Sequence, residues 1–256
     1  MSADTPRHPL PPPPLVAPDW ALFLDVDGTL LDFADSPEGV HVPAHLPEML
    51  SALHQRLDGA LALISGRTLA QLDALFAPLV LPAAGLHGLE RRNSGLHAHP
   101  RPVALDGVLA AARDLAAKYP GALVEDKGIA FALHWRAAPV AEEPLHEFAT
   151  SALIELPGYH LLPGNGVVEL RPDGTHKGEA VLALLASPPF RGRRPVFVGD
   201  DITDEHGFVA VASHGGFGVL VGQRQPSAAR YALHDPSQVL AWLDDALSLS
   251  EPREPV

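Results

Sequence analysis

Apolar runs and amphipathic stretches take turns along the chain. Ala21-Leu22-Phe23-Leu24 is unbroken by polar residues and ends in Asp25-Val26-Asp27-Gly28-Thr29. A strand covered on both faces shows no polar alternation, so this run predicts a central strand of a parallel sheet. A polar loop with Pro37 follows from Leu31 to Glu38. Pro43 to Leu57 then carries Leu46, Leu50, Leu53 and Leu57 on one helical stripe. Ala60-Leu61-Ala62-Leu63-Ile64 is a second buried strand, stopping at Ser65-Gly66-Arg67, and Thr68 to Phe76 reads as a helix. Strand, helix, strand, helix in this order predicts a parallel α/β sheet. A short strand between Leu79 and Glu90 extends it.

From Arg91 the periodicity changes. Asn93 to Pro102 reads as a hairpin about Ser94-Gly95, and Leu105 to Tyr119 as an alanine-rich helix. Residues 122–135 read as two antiparallel strands, the second alternating Ile129, Phe131, Leu133 and Trp135 with smaller or polar residues, as in a sheet covered on one face. A helix over Glu142 to Glu155 and a hairpin about Gly164-Asn165-Gly166 follow. This α+β block interrupts the parallel sheet, which resumes with a turn over Arg171 to Thr175 and a helix from His176 to Leu185. A strand over Pro195 to Gly199, a last strand Phe217 to Val221 and a final helix from Pro236 to Leu249 complete it. The expected division is a leader over 1–18, a core over 19–92 and 171–250, an inserted smaller domain over 93–170, and a tail over 251–256.

Composition narrows the partners. The 256 residues are 46% hydrophobic, enough for a real core, and the net charge of −13 disfavours a nucleic-acid partner. Without cysteine, disulfides and thiolate chemistry are excluded. No apolar run approaches membrane-spanning length, and the start of the chain lacks the charged and apolar regions of a signal peptide. The expectation is a cytoplasmic monomer without a membrane partner. Pro11 to Pro14 give the leader an extended, disordered, solvated reading.

The chemistry gathers at the strand ends, where open α/β sheets bind ligands. Asp-Gly is ordinary turn chemistry, yet Asp25 and Asp27 crowd two carboxylates where a divalent cation would relieve their repulsion, and oxygen donors favour Mg2+. Ser65 ends the next strand and either caps the following helix, although Thr68 stands nearer its start, or donates to a phosphate oxygen above Asp25. Lys177 opens a helix, where its charge opposes the macrodipole. A nearby anion would explain it, and an exposed lysine of no importance is the other reading. His87 lies between two glycines and reads as a polar loop residue. The third strand ends in Gly199-Asp200-Asp201-Ile202-Thr203-Asp204-Glu205, four carboxylates within six residues. Asp200 completes a metal site there, while Asp201, Asp204 or Glu205 orient loops or start a helix.

Together these make a phosphoryl-transfer site. Asp25 is the nucleophile and a Mg2+ ligand, and gives an aspartyl-phosphate. Asp27 protonates the leaving oxygen and then activates water, its main-chain carbonyl rather than its side chain meeting the metal. Ser65 and Lys177 hold the equatorial oxygens.

Asp25-Val26-Asp27-Gly28-Thr29, Ser65, Lys177 and Gly199-Asp200-Asp201, in this order, resemble the motifs of the haloacid dehalogenase superfamily, and the insertion resembles its larger α/β cap. The resemblance implies a Rossmann-like core, a parallel sheet flanked by helices, with an inserted α+β cap domain. Within the superfamily the chain is similar to trehalose-6-phosphate phosphatases from Trp20 to about Leu247. The stretches that carry this are Leu63 to Arg67, Gly85 to Arg92, Gly128 to His134, Val168 to Pro172, Lys177 to Ala180 and Gly199 to Glu205. That resemblance implies Mg2+-dependent hydrolysis of trehalose 6-phosphate, the last step of trehalose biosynthesis, with Glu125, Lys127 and Glu169 of the cap gripping sugar hydroxyls. It leaves Gly66, Arg67, His87, Asp201 and Asp204 with unassigned supporting roles.

The shared core motifs leave open another capped sugar phosphatase, acting on sucrose 6-phosphate or mannosyl-3-phosphoglycerate, or a phosphomutase using the same covalent intermediate. A catalytically silent sugar-phosphate-binding module is the alternative from outside the enzymes, and the presence of Asp25, Asp27, Ser65, Lys177 and Asp200 opposes it.

Overall fold

The uninterrupted apolar runs become the middle of an eight-stranded sheet. The structure is a computed structural model that describes residues 10–32, 39–93, 96–98 and 101–248. Residues 1–9 of the leader, 33–38 of the polar loop, the Ser94-Gly95 turn and the 251–256 tail lie outside these.

In chain order the first half of the core holds β1 (Trp20–Leu24), α1 (Leu46–Arg56), β2 (Leu61–Ile64), α2 (Leu69–Phe76), β3 (Ala83–Gly85), β4 (Glu90–Arg92) and β5 (Leu96–Ala98). The interrupting segment holds α3 (Leu105–Ala116), β6 (Leu123–Asp126), β7 (Phe131–His134), α4 (Glu142–Ala152), β8 (Tyr159–Gly164) and β9 (Val167–Pro172). The second half of the core adds α5 (Lys177–Leu185), β10 (Arg194–Gly199), α6 (Glu205–Ser213), β11 (Phe217–Val221), β12 (Tyr231–Leu233) and α7 (Pro236–Ser248).

The large sheet runs β12-β11-β10-β1-β2-β3-β4-β5. Its first six strands are parallel, and β4 pairs antiparallel with β3. Every residue of β1, β2 and β11 is buried, which is why these strands read as continuous apolar runs. Register decides where the chemistry emerges. Leu24 pairs with Val198 on one side and with Leu63 on the other, so Asp25, Asp200 and Ser65 leave the sheet at one level. The amide of Asp25 continues the ladder onto the Val198 carbonyl at 2.9 Å.

Tertiary contacts divide the chain at 97/98 and 175/176, slightly C-terminal of the 92/93 and 170/171 boundaries suggested by the sequence. The unit over 98–175 is a four-stranded antiparallel sheet, β6-β7-β9-β8, with helices on one face. Phe131, Leu133, Val168 and Leu170 pack with Leu109 of α3 and Leu145 of α4. By the two-residue alternation of strands, Ala132, His134, Glu169 and Arg171 occupy the other face.

Four parts of the chain differ from the sequence reading. Helix α6 was legible only as a helix start after the acidic run, because Gly207 and the exposed Val209 blur its apolar stripe. Strands β4 and β12 have three residues each, too few to show a period. The leader is not disordered over residues 10–17. The Pro11 carbonyl accepts from the Ala232 amide of β12 at 3.0 Å, the Pro14 carbonyl accepts from the Trp242 indole of α7 at 2.9 Å, and Val16 is buried. Prolines stiffen the segment without removing its carbonyl acceptors, so an extended run still docks. Among the described residues no helix is long and apolar enough to cross a membrane.

Candidate active site

Asp25 and Lys177 meet in the buried interior of the core. Lys177 is the first residue of α5, after His176, whose ring caps the helix by accepting from the Glu179 amide. Its ammonium donates to Asp25 Oδ1 at 2.8 Å and to Asp204 Oδ1 at 2.6 Å, all three side chains being buried. The other oxygen of Asp204 accepts from the amides of Asp200 and Asp201 at 3.0 and 2.9 Å. Asp204 therefore locks the loop after β10 onto Lys177. Gly199 has to be small there, since a Cβ on it would lie 2.4 Å from the Asp204 carboxyl carbon. Asp201 is spent locally, its exposed carboxylate accepting from the Ile202 amide at 2.6 Å. Arg224 adds a brace that the sequence did not reveal, donating to the Asp200 and Asp201 carbonyls and to Glu205.

These contacts leave Asp25 Oδ2 and Asp200 facing each other, with the Thr29 hydroxyl 3.4 Å from both residues. Three carboxylates, of Asp25, Asp200 and Asp204, bring an oxygen each within 4.8 Å of one another, against one ammonium. The imbalance shows in their acidities. Burial first, then Asp204, raises Asp25 well above the usual carboxylate range despite the pull of Lys177. The same causes push Asp200 up to about 7. Burial alone would lower Lys177, yet Asp204 and Asp25 outweigh it and raise the ammonium above the ordinary lysine value. An all-oxygen donor set with surplus negative charge fits a hard divalent cation such as Mg2+. Because Asp204 is already engaged by Lys177 and two amides, Asp25 and Asp200 are the side chains open to that cation.

The end of β2 forms a second group. Thr68, not Ser65, caps α2, in a reciprocal box with Gln71. Ser65 is buried, and its oxygen accepts from the Arg67 amide at 3.1 Å, which leaves its O–H to donate elsewhere. The Arg67 guanidinium grips both oxygens of Asp27, at 2.7 and 2.8 Å. Gly66 between them lies under the ring of His87.

The 98–175 unit has its own polar cluster. Glu125 of β6 and Glu169 of β9 both pair with Ala132 of β7, so one row of the sheet carries two carboxylates separated by a methyl group. Lys127, two residues beyond Glu125 and therefore on its face, donates to Glu169 Oε2 at 2.6 Å and lies 4.0 Å from Glu125. Burial opposes its charge, but Glu169 and then Glu125 prevail and raise it. Glu169 Oε1 is buried and has no hydrogen-bond partner among the described residues. His134 Nε2 stands 3.1 Å from Glu125 Oε2. His134 shares the face of Ala132 by strand parity, the signal by which the sequence places it here.

The trehalose-phosphatase family profile matches residues 23–237. The chain is 42% identical over 234 residues to a probable trehalose-phosphate phosphatase of Sinorhizobium fredii, covering 90% of this chain and 88% of that protein. It is also 42% identical over 241 residues to the trehalose-6-phosphate phosphatase of Escherichia coli, covering 93% and 90%. Among solved structures, the C-terminal domain of a C. albicans trehalose-6-phosphate phosphatase superposes with a TM-score of 0.76 at 21% identity, over 91% of this chain and 93% of that one. That last likeness speaks to the fold. The matched stretch runs from β1 into α7 and takes in every strand end that carries the site, so the chain belongs to the trehalose-phosphatase family and is a phosphatase.

Proposed function

We propose that the protein hydrolyses trehalose 6-phosphate to trehalose and inorganic phosphate, using Mg2+ and an aspartyl-phosphate formed on Asp25. The single observation that carries the chemistry is the buried Asp25, with one oxygen tied to Lys177 and the other left toward Asp200. The substrate follows the names of the relatives that match most of the chain.

Asp25 Oδ2 attacks phosphorus, and the bond from phosphorus to the sugar oxygen breaks. Asp27 delivers its proton to that oxygen, which leaves as the trehalose hydroxyl. Asp27 then takes a proton from water as the water attacks phosphorus, and the bond to Asp25 breaks to release phosphate. The Arg67 guanidinium holds both oxygens of Asp27, so Asp27 releases at least one of them to take up the proton it delivers. The Ser65 hydroxyl and the Lys177 ammonium donate to the non-bridging oxygens. Asp25 and Asp200 side chains, with the main-chain carbonyl of Asp27, would hold Mg2+. Bound there, the ion supplies the positive charge that lets a carboxylate approach a phosphate dianion. In the 98–175 unit, Glu125, Lys127 and Glu169 bind sugar hydroxyls, and Glu169 Oε1, which has no partner among the described residues, accepts one of them.

The test is phosphate release from trehalose 6-phosphate, sucrose 6-phosphate, glucose 6-phosphate and an aryl phosphate, each with Mg2+ and with EDTA. The expected result is Mg2+-dependent release with a preference for trehalose 6-phosphate of about tenfold or more. Equal rates on all four overturn the substrate, and release that EDTA leaves untouched overturns the metal.

A further inference from the structure

The turn Leu86-His87-Gly88, after β3, is held in a conformation that side chains resist. Leu86 has φ of 50° and His87 has φ of 56°, two consecutive non-glycine residues in the left-handed region. Such strain persists only where the surroundings impose it, and here three contacts do so. The Leu86 amide donates to the Arg67 carbonyl and the His87 amide to the Ser65 carbonyl, both at 2.9 Å. The His87 ring occupies the space a side chain at residue 66 would need, a Cβ on Gly66 falling 2.8 Å from Nε2. On its other side the turn meets the start of α5, where a Cβ on Gly88 would lie 3.1 Å from the Ala180 methyl and 3.4 Å from the His176 carbonyl. The turn therefore stands between the loop that carries Ser65 and Arg67 and the helix end that carries Lys177.

We propose that His87 is a positioning residue for the transferred phosphoryl group: its ring, pressed on Gly66 from a strained turn, fixes the Ser65–Arg67 loop relative to Lys177. The proposal rests on the reading that Ser65 and Lys177 hold phosphate oxygens. It adds a reason for the strain. A backbone pulled into the left-handed region by two hydrogen bonds to the 65–67 loop holds that loop from slipping, and the ring closes the gap that Gly66 leaves.

His87→Gly separates positioning from folding, because glycine takes a φ of 56° without steric cost while losing the ring. The expected result is a melting temperature within about 2 °C of wild type and a kcat lower by about tenfold on both trehalose 6-phosphate and an aryl phosphate. The inhibition constant for inorganic phosphate should rise by a similar factor. His87→Asn, which tolerates the left-handed region but has no ring, should behave alike. Gly66→Ala alone should also lower kcat, since its methyl meets the ring, whereas Gly66→Ala in the His87→Gly background should stay within about twofold of His87→Gly. A His87→Gly enzyme with unchanged kcat, an asparagine variant with full activity, or losses that multiply in the double variant each overturn the proposal. An active wild type with an active His87→Gly overturns this placement alone. A wild type without Mg2+-dependent turnover overturns the phosphatase chemistry and this placement with it.

Discussion

Each unit of the protein holds a lysine between two carboxylates, and the two triads are built to opposite ends. Lys177 bridges Asp25 and Asp204 with both contacts short, at 2.8 and 2.6 Å, and its carboxylates come from elements far apart in the chain. Lys127 makes one short contact, 2.6 Å to Glu169, and a loose one, 4.0 Å to Glu125, on the two strands that flank β7 in one sheet. The first triad is closed to solvent and carries surplus negative charge from Asp200. The second keeps a buried carboxylate oxygen without a partner among the described residues. Equal residue types thus give a fixed charge template in one place and a cluster with unused hydrogen-bonding capacity in the other. On the proposed function, the difference teaches that the state of the remaining carboxylate oxygens, more than the lysine, separates chemistry from recognition.

The largest effect should come from Asp25→Asn, which removes the attacking oxygen's charge. Turnover should fall by roughly four orders of magnitude or more, while binding of trehalose 6-phosphate by calorimetry survives. A variant that still turns over places the nucleophile elsewhere. Next is Lys177→Met, which should cut kcat by about a thousandfold and destabilise the fold by about 3–5 kcal/mol in urea titration, because buried carboxylates lose their partner. Adding Asp204→Asn should restore stability without restoring turnover. If turnover returns as well, Lys177 is structural and the contrast between the triads collapses.

Smaller and confined to recognition is Glu169→Gln or Glu125→Ala. KM for trehalose 6-phosphate should rise about 10- to 100-fold, as expected when a site built for hydroxyls loses an acceptor, and aryl phosphate hydrolysis should persist. Equal loss on both substrates would erase the division of labour. The smallest effect is thermal. In metal-free protein the folded state binds a proton on Asp200 that the unfolded chain has lost, its acidity moving from 3.8 to about 7 on folding. The raised value means that this contribution is full below 3.8 and fades as pH rises through about 7. In EDTA the melting temperature of wild type should therefore fall across that window relative to Asp200→Asn. Mg2+ replaces the proton, so its stabilisation should be larger near about pH 8 than near about pH 5. Equal Mg2+ shifts at both would mean that Asp200 does not hold the ion.

What the sequence made legible follows from these contrasts. Strands buried on both faces announce themselves as apolar runs, so β1, β2 and β10 and the acids and serine at their ends were readable. Helix α1 was readable because its stripe of Leu46, Leu50 and Leu53 is one-sided. Partnerships across the chain were not. Nothing local distinguishes Asp204, which is fully buried under Lys177, from Asp201, which points to solvent and caps a turn. The strain at Leu86 and His87 was not legible, since the two glycines signal a tight backbone site without showing that non-glycine residues take the left-handed conformation. His134 is legible only through strand parity, which carries no chemistry of its own. The docking of the leader is not legible in its prolines, because composition reports stiffness and not contacts.

That docked leader has a consequence for association. β12 is the outermost strand of the parallel end of the large sheet, the kind of edge along which chains stack and aggregate. Pro11 satisfies its Ala232 amide with a carbonyl. Pro12, Pro13 and Pro14 then offer no N–H to any strand arriving from outside. The segment that completes the sheet is thus also a terminator, closing the ladder with residues that cannot pass it on.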